Sequence, residues 1–221
     1  MQKFVLIVAG GAGLRMESAI HKQFVELNGM PLLMHTVKAF SYLSDAEFVL
    51  VLPKMEIKIW AQLCIKHQFN IPHQLVEGGP KRFHSVKSGL QKIPDDVLVA
   101  IHDGVRPLVT QETINRCFDL AVRKGNAVPV IPVIGSLRQV DGSLNKPIDR
   151  SKIRIVQTPQ AFLSTQIKKA YNQAYREEFT DDATVLESMG KQIHLTKGNS
   201  ENIKITNPVD LLIAEKLVQW L

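Results

Sequence analysis

The sequence has little cysteine, few aromatic residues and no long apolar run. Its 221 residues include two cysteines, Cys64 and Cys117, and only 6% Phe, Trp and Tyr. Two cysteines without metal-ligand spacing form neither a disulfide framework nor a zinc site, so a reducing, cytoplasmic location is expected. No segment approaches the roughly 18 consecutive apolar residues that cross a bilayer, so no membrane partner is expected.

Positive charge is in excess. Lys and Arg total 27 against 21 Asp and Glu, which gives a formal net charge of +6. Such an excess favours an anionic partner, whether nucleic acid, lipid headgroups or a phosphorylated metabolite. No basic helix face carries the interleaved aromatic residues that stack on bases, which argues against nucleic acid. The positions of the cations along the chain have to decide among the rest.

Short β-branched runs alternate with segments of helical period. The runs that predict strands lie at residues 4–8, 47–52, 74–76, 97–102 and 127–131. The segments that predict helices lie at 31–40, 56–67, 85–93 and 111–124. This alternation predicts one α/β domain over residues 1–221, with a Rossmann-like, mostly parallel sheet and helices on both faces.

The alternation breaks at about residues 132–156, where Gly135, Gly142 and Pro147 separate short β-prone pieces. We interpret this segment as a projecting β-arm of the same domain. After it, the pattern predicts helices at 166–176 and 182–189, strands at 192–195 and 202–206, and a closing helix from Pro208. Proline is well tolerated in the first turn of a helix.

A glycine-rich loop follows the first predicted strand. It reads Ala9, Gly10, Gly11, Ala12, Gly13, Leu14, Arg15 and Met16, with Lys22 further on. Glycines let backbone N–H groups approach an anion, and the two cations add full charges to the same concavity. The third glycine of a dinucleotide fingerprint is missing and no Gly-Lys-Ser/Thr occurs, so neither common phosphate motif is matched.

Three further segments of this kind fall at predicted strand ends, where α/β sheets bind ligands. Gly79 and Ser85 belong to a second glycine-containing basic loop, in which Ser85 is either a helix N-cap or a ligand. Asp103, next to Gly104, is placed to hold Mg²⁺, or else pairs with Arg106 to shape the turn. Lys204 interrupts an apolar strand, where it either protects a sheet edge or faces an anion.

The four segments share a chemical character. They combine phosphate-type glycines, cations and one metal-type carboxylate, and no nucleophile–base pair accompanies them. A reaction whose nucleophile is already an anion needs no general base. An attacking phosphate monoester on a nucleoside triphosphate is such a case, and its catalysis consists of alignment and charge neutralisation. The residues therefore point to nucleotidyl transfer onto a phosphate.

The sequence resembles the 2-C-methyl-D-erythritol 4-phosphate cytidylyltransferase family almost from end to end. The resemblance rests on these blocks in this order: AGGAGLRM with HKQF, GGPKRFHSVKSGL, HDGVRP, DR with QTPQAF, FTDDATVLE and NIKITNPVDL. A lone glycine loop would be weak because other sugar-nucleotide transferases share it. The family's reaction moves CMP from CTP onto the acceptor phosphate in isoprenoid precursor synthesis.

The resemblance implies a role for each matching residue. Arg15, Lys22 and Lys204 would be catalytic, Asp103 would hold Mg²⁺ or another divalent cation, and the arm would form a homodimer. The implied CTP-binding residues are Ala9, Gly10, Gly11, Ala12, Gly13, Gly79, Ser85, Asp103 and Gly104. The implied residues for methylerythritol phosphate are Arg106, Ser136, Thr158, Thr180 and Arg150, the last reaching the site of the partner subunit.

The chain departs from the family pattern at a few positions. Gly135-Ser136 stands where the family usually has Asp-Thr, and His21 replaces a proline before Lys22. These departures affect the acceptor more than CTP, so a ribitol 5-phosphate cytidylyltransferase is the nearest alternative. The spacing of Arg150 and Thr158 favours the methylerythritol substrate. A non-catalytic nucleotide-binding protein is the alternative of another class, and the joint presence of the cations and Asp103 argues against it.

Overall fold

The computed structural model describes residues 1–9 and 21–218 of the chain. Its strands are β1 (Lys3–Val8), β2 (Glu26–Leu27), β3 (Met30–Pro31), β4 (Ala46–Leu52), β5 (Gln74–Glu77), β6 (Leu98–Asp103), β7 (Asn126–Pro132), β8 (Leu137–Asp141), β9 (Leu144–Ile148), β10 (Arg154–Val156), β11 (Gln160–Leu163) and β12 (Leu195–Lys197). Its helices are α1 (Leu32–Phe40), α2 (Lys54–Lys66), α3 (Arg82–Leu90), α4 (Gln111–Lys124), α5 (Ser164–Ala170), α6 (Asp182–Glu187) and α7 (Pro208–Leu217).

One central sheet organises these elements. Its strands lie in the order β10-β7-β11-β6-β1-β4-β5, and β12 pairs with β7 at one side. The pairs of β1 with β4, β1 with β6, β4 with β5 and β7 with β12 are parallel. Strand β11 runs antiparallel between β6 and β7, and β10 runs antiparallel to β7. The expected α/β architecture with a mostly parallel sheet is confirmed.

Helices cover both faces of this sheet because side chains alternate along its central strands. In β1, Val5 and Ile7 pack into the apolar cluster that holds Trp60 of α2 and Phe118 of α4. The intervening Leu6 packs on the opposite face, in a cluster with residues of α3 and α5. Helix α4 shows the expected end signals, since Thr110 accepts a hydrogen bond from the N–H of Thr113 and Gly125 ends the helix at φ +84°.

Several predicted boundaries were wrong. Helix α3 begins at Arg82 instead of Ser85, and α5 ends at Ala170, whose carbonyl accepts a hydrogen bond from Gln173 Nε2 at 2.9 Å. The segment 202–206 is not a strand, because its described backbone bonds are single contacts such as Ile205 N–H to the Val105 carbonyl at 2.9 Å. The strand predicted at 192–195 begins only at Leu195, and β11 has no counterpart in the prediction.

The segment 132–156, which we interpret as a projecting β-arm, contains a β-hairpin. Strands β8 and β9 form a separate two-stranded antiparallel sheet, and Gly142 turns between them at φ +55°. The arm carries exposed apolar side chains on its strands, including Val140 and Leu144. Strand β10 then returns the chain to β7. The arm is therefore an extension of the sheet domain with an apolar surface of its own.

Candidate active site

The expected site lies where β1 and β6 end side by side. Val8, the last residue of β1, is the register partner of Asp103, the last residue of β6. A cavity of about 190 Å³ opens beyond this edge. It is lined by Val8, Ala9, Lys22, Gln23, Arg82, Asp103, Val105 and Lys204. The strand-end rule thus brings together residues from four of the segments that the sequence singled out.

Asp103 is the centre of a charged cluster. Its Oδ2 lies 2.9 Å from Lys204 Nζ and 3.5 Å from Arg106 Nε, and its Oδ1 accepts a hydrogen bond from Arg82 Nε at 3.2 Å. Burial alone would raise the pKa of Asp103. The positive charges of Arg82, Lys204 and Arg106 outweigh that effect and hold the pKa of this carboxyl far below its usual range. Asp103 is therefore ionised at neutral pH.

Arg82 connects this cluster to a second buried carboxylate. Its Nη1 and Nη2 donate to the two oxygens of Asp182 at 2.8 and 2.7 Å, which is the bidentate geometry that a guanidinium prefers. The Tyr171 hydroxyl donates to the same carboxylate at 2.6 Å. Asp182 is fully buried at the start of α6, where the Asp181 side chain accepts from the N–H of Thr184. Arg82 is thereby fixed between two carboxylates.

A hydrogen-bond chain beneath the cavity fixes the backbone of Asp103. The Thr158 hydroxyl accepts from the Asp103 N–H at 3.1 Å and lies 3.0 Å from His102 Nδ1. His102 Nε2 lies 3.0 Å from the Arg106 carbonyl, so Nε2 carries the proton and Nδ1 accepts from Thr158. Burial lowers the pKa of His102 to about 4. A neutral imidazole therefore bridges Thr158 and the turn after β6.

The turn after β6 is held from both sides. Arg106 Nη1 donates to the Asn202 carbonyl at 2.7 Å, which ties this turn to the segment that carries Lys204. The Gly104 N–H donates to the Val8 carbonyl at 2.9 Å, and the Gly104 carbonyl accepts from the Thr36 hydroxyl at 3.0 Å. Both polar backbone groups of Gly104 are thus engaged within the protein. The Asp103–Arg106 pair expected from the sequence is present as one of three ion pairs.

The second glycine loop is closed by its own serine. Ser85 is buried, and its hydroxyl accepts from the Gly79 N–H at 3.1 Å and lies 3.4 Å from the Gly79 carbonyl. A Cβ on Gly79 would overlap the Cβ of His84, so only glycine fits here without movement. Ser85 is not the N-cap of α3, because the helix begins three residues earlier, and the N-cap position is held by Lys81. Its hydroxyl instead fixes the shape of the loop.

Three residues that the family resemblance assigns to the acceptor lie apart from the cavity. Ser136, Arg150 and Thr180 are exposed and do not line it, and the guanidinium of Arg150 donates to the carbonyl of Ile134 within the arm. Lys22 lines the cavity from a short 3₁₀ turn over Lys22–Phe24. The expected residues Gly10, Gly11, Ala12, Gly13 and Arg15 lie outside the described residues, as does Trp220.

Two residues that the structure places in or next to the charged cluster around Asp103 were not assigned to the site from the sequence. In the sequence, Arg82 is a cation after the second glycine loop, but the local pattern does not show which way its side chain points. Asp182 follows Asp181 in the FTDD block, and a sequence pattern cannot tell which of two adjacent carboxylates turns inward. A wider concavity of about 880 Å³ lies elsewhere, at the start of β4 and β5, and includes none of the residues around Asp103. Charge convergence, not size, identifies the site.

Two general features of the described residues bear on ligands. No group of three or more His, Cys, Asp or Glu side chains in residues 1–9 and 21–218 is placed to hold a metal ion by itself. Within the same residues, no helix has the length and apolarity needed to span a membrane.

The fold and the site together define an α/β nucleotidyltransferase. A family profile for "IspD: 2-C-methyl-D-erythritol 4-phosphate cytidylyltransferase" matches residues 3–220. The 2-C-methyl-D-erythritol 4-phosphate cytidylyltransferase of Porphyromonas gingivalis is 50% identical over 218 residues, covering 98% of each chain. That of Bacteroides thetaiotaomicron is 46% identical over 219 residues, covering 99% of this chain and all of its own. The chain belongs to the 2-C-methyl-D-erythritol 4-phosphate cytidylyltransferase family.

Solved structures agree with this assignment. The crystal structure of 2-C-methyl-D-erythritol 4-phosphate cytidylyltransferase from Thermus thermophilus superimposes with a TM-score of 0.78 at 30% identity, covering 99% of this chain and all of that chain. The enzyme from Francisella tularensis gives a TM-score of 0.80 at 26% identity, covering 100% and 99% of the two chains.

Proposed function

We propose that this chain transfers CMP from CTP to the phosphate of 2-C-methyl-D-erythritol 4-phosphate. A phosphate oxygen of the acceptor bonds to the α-phosphorus of CTP, and the bond to the β-phosphate oxygen breaks. The electron pair leaves with pyrophosphate, and the other product is 4-diphosphocytidyl-2-C-methyl-D-erythritol. The single observation that carries this proposal is the convergence of Lys22, Arg82, Asp103 and Lys204 on one cavity at the carboxyl edge of the sheet. The names of the relatives supply the acceptor.

The cations act by neutralising charge. Negative charge on the phosphates grows as the pentavalent phosphorus forms and pyrophosphate departs, and fixed cations at that place lower the barrier. Lys22 and Lys204 line the cavity and are assigned to this task. Arg15 is assigned to it from the family resemblance. The acceptor phosphate is already an anion, so the reaction requires no general base.

The nucleotide is assigned to the two glycine loops. Ala9 follows β1 and is part of the cavity lining, and the family resemblance assigns the Ala9–Gly13 sequence to the triphosphate. The cytosine is assigned to the loop at Gly79, whose shape Ser85 fixes. Gly104 contributes as a close-packed support, because a Cβ there would lie 2.8 Å from the Ala9 Cβ. A cytosine slot that is built from a rigid backbone excludes larger bases by size.

A divalent cation, with Mg²⁺ as the first choice, fits the donor chemistry at Asp103. Mg²⁺ is commonly bound through one or two carboxylates together with substrate phosphates, and Asp103 is the one carboxylate in the described cavity lining. The phosphates of CTP would supply the other ligands. The bound ion would add positive charge at the phosphates. Asp103 would hold the ion, and Lys204, which lies 2.9 Å from Asp103 Oδ2 and is 41% exposed, would stay beside it.

The acceptor is assigned to residues from two subunits. Arg106 and Thr158 lie next to Asp103, and Thr180 precedes the capping residue of α6. Ser136 and Arg150 are on the arm and would meet the acceptor in the partner's site of a homodimer. The exposed apolar residues of the arm support such an assembly, because apolar patches of this kind mark protein interfaces. A cytoplasmic location for the reaction is part of the proposal.

Pyrophosphate release with CTP, Mg²⁺ and either acceptor tests the proposal. Turnover with 2-C-methyl-D-erythritol 4-phosphate is expected to exceed turnover with ribitol 5-phosphate, and the opposite order would support the ribitol alternative. Lys22→Ala is expected to lower the rate by several orders of magnitude while the fold survives. Lys58→Ala, an exposed lysine of α2, is the matched control. Tight CTP binding without turnover of either acceptor would favour the non-catalytic protein.

A further inference from the structure

A buried carboxylate outside the Asp103 cluster lies next to the Lys22 segment. Glu56 is in the first turn of α2, and its side chain is 3% exposed. One of its oxygens, Oε1, lies 2.9 Å from His21 Nδ1, and the other accepts a hydrogen bond from the Gln23 side chain. His21 and Gln23 are the residues immediately before and after Lys22. One carboxylate thus contacts both neighbours of a cavity-lining lysine.

Burial of a carboxylate is energetically unfavourable unless its charge is paired and its oxygens accept hydrogen bonds. Burial raises the pKa of Glu56, and the interactions with His21 and Gln23 oppose that effect. Gln23 is itself fully buried, whereas the His21 side chain is half exposed. The partners that make this burial tolerable are therefore the residues that flank Lys22.

An aromatic contact one turn further along α2 holds the same segment. Trp60 is fully buried, and its ring stacks on the ring of Phe24 with 6.3 Å between centroids and 18° between planes. The indole is fixed in turn, because its Nε1 donates to His73 Nε2 at 2.8 Å. Residues i and i+4 of a helix share one face, so Glu56 and Trp60 form a single seat on α2. The seat contacts His21, Gln23 and Phe24.

From this arrangement we infer that Glu56 is a positioning residue for Lys22. It anchors the backbone on both sides of the lysine and so limits the volume that the ammonium group samples at the edge of the cavity. This inference rests on the proposed role of Lys22 in phosphate charge neutralisation. A small displacement of an aligned charge is costly in catalysis. Glu56 touches neither substrate in this scheme and acts only through the lysine segment.

Glu56→Gln is the most direct test because it keeps the size of the side chain. Its amide accepts one hydrogen bond but turns a donor toward the other partner, and the negative charge is lost. We expect kcat to fall about tenfold with KM for CTP changed less than threefold, since alignment and not binding is lost. His21→Ala, which leaves the bond between Gln23 and Glu56 in place, is expected to lower kcat in the same direction.

Glu26→Gln is the matched control. Glu26 lies in β2 and pairs with Lys66 of α2 at 3.3 Å, so it also joins α2 to the segment after Lys22, but on the surface. Its substitution is expected to leave kcat unchanged. Hydrogen exchange supplies a readout apart from activity: the amides of residues 21–25 should exchange at least tenfold faster in Glu56→Gln and at the original rate in Glu26→Gln.

Measuring the effect of Glu56→Gln in the Lys22→Ala variant distinguishes a positioning role of Glu56 from a general structural role. In Lys22→Ala, the additional change Glu56→Gln should leave the remaining rate within about twofold, because the lysine through which Glu56 acts is gone. An equal loss in both backgrounds, or unchanged exchange at 21–25, would overturn the inference. A large effect of Lys22→Ala with no effect of Glu56→Gln would overturn it as well and leave the proposed function standing. If Lys22→Ala itself has no effect, the proposed role of Lys22 fails, and this inference fails with it.

Discussion

Lys204 Nζ lies 2.9 Å from Asp103 Oδ2, although the whole arm and the strands from β7 to β12 separate the two residues in the chain. The carboxylate belongs to the end of a buried central strand, whereas the lysine belongs to an extended segment that is tied down at Ile205. The Asn202 carbonyl, on the same segment, accepts from Arg106. The pairing brings a partly exposed ammonium to a buried carboxylate that also pairs with Arg82 and Arg106.

Lys204→Met is expected to lower kcat by about 10²- to 10³-fold, the usual loss when one charge-stabilising group is removed from an active site. Methionine keeps most of the aliphatic stem and removes only the charge. Steady-state pyrophosphate release measures the loss. Asp103 keeps Arg82 and Arg106, so the midpoint of thermal unfolding should stay within a few degrees.

Lys197→Met, on β12, is the control for Lys204→Met, because Lys197 is exposed and its described contact is made by the backbone carbonyl. It should retain full activity. Equal rates for the two variants would show that the ammonium next to Asp103 takes no part in the reaction.

Gly79→Ala is expected to weaken CTP binding. The new methyl group would overlap the Cβ of His84, so the loop that Ser85 closes would have to shift. Overpacking of this kind costs about 1–3 kcal/mol in the free energy of unfolding. KM for CTP should rise several-fold, with a smaller change in KM for the acceptor. Thermal unfolding and initial rates at varied CTP provide both measurements.

A control for Gly79→Ala exists in the arm. A Cβ on Gly135 would meet no atom within 4 Å, so Gly135→Ala should leave the unfolding midpoint unchanged. A Gly79→Ala variant with the original stability and the original KM for CTP would contradict the assignment of this loop to the cytosine.

The meeting of the cavity-lining segments at one edge of the sheet could be predicted from the sequence, because the rule that ligands bind at strand ends is geometric. Asp103 ends one apolar strand and Ala9 directly follows another, and parallel strands put such residues at one edge. The inward-facing Asp182 and Glu56 could not be predicted in the same way. A buried carboxylate depends on partners from distant segments, Arg82 for one and His21 for the other, and no local pattern encodes that meeting.

The helix α2 shows the same limit on a smaller scale. Helical spacing puts Ile59, Leu63 and Cys64 on one face of its sequence, and Leu63 and Cys64 do pack against the core. Ile59 is 39% exposed, however, and the fully buried residues of the helix are Glu56 and Trp60. Helical periodicity gave the element correctly. The orientation of the helix was set by the stacking of Trp60 on Phe24 and by the two polar partners of Glu56, which are contacts that a single helix does not reveal.

The lowered pKa of His102 predicts how the free energy of unfolding depends on pH. Its pKa is lowered from 6.5 to about 4, chiefly by burial, so between these values the unfolded chain binds a proton that the folded chain does not. Stability contributed by the neutral ring is complete above pH 6.5 and is lost as the pH falls toward 4. The loss attributable to this residue amounts to about 3 kcal/mol. Urea unfolding at pH 7 and at pH 4.5 measures most of it.

His102→Gln is the variant that isolates this effect, because its amide can both donate and accept without titrating. Its free energy of unfolding should fall less between pH 7 and 4.5 than that of the unsubstituted protein. The free energies of unfolding of the two proteins at pH 7 show whether glutamine at this position keeps the hydrogen bonds to Thr158 and to the Arg106 carbonyl. An identical acid dependence in the two proteins would mean that His102 does not take up the proton on unfolding.

Arg150 allows the proposed exchange of arms between subunits to be measured by complementation. If Arg150 serves the partner's site, a mixed dimer of Arg150→Ala and Lys22→Ala chains contains one site with both native residues and one with neither. Random reassembly of equal amounts of the two inactive variants should then restore about a quarter of the original activity. If Arg150 serves its own chain, every site lacks one residue and no activity returns.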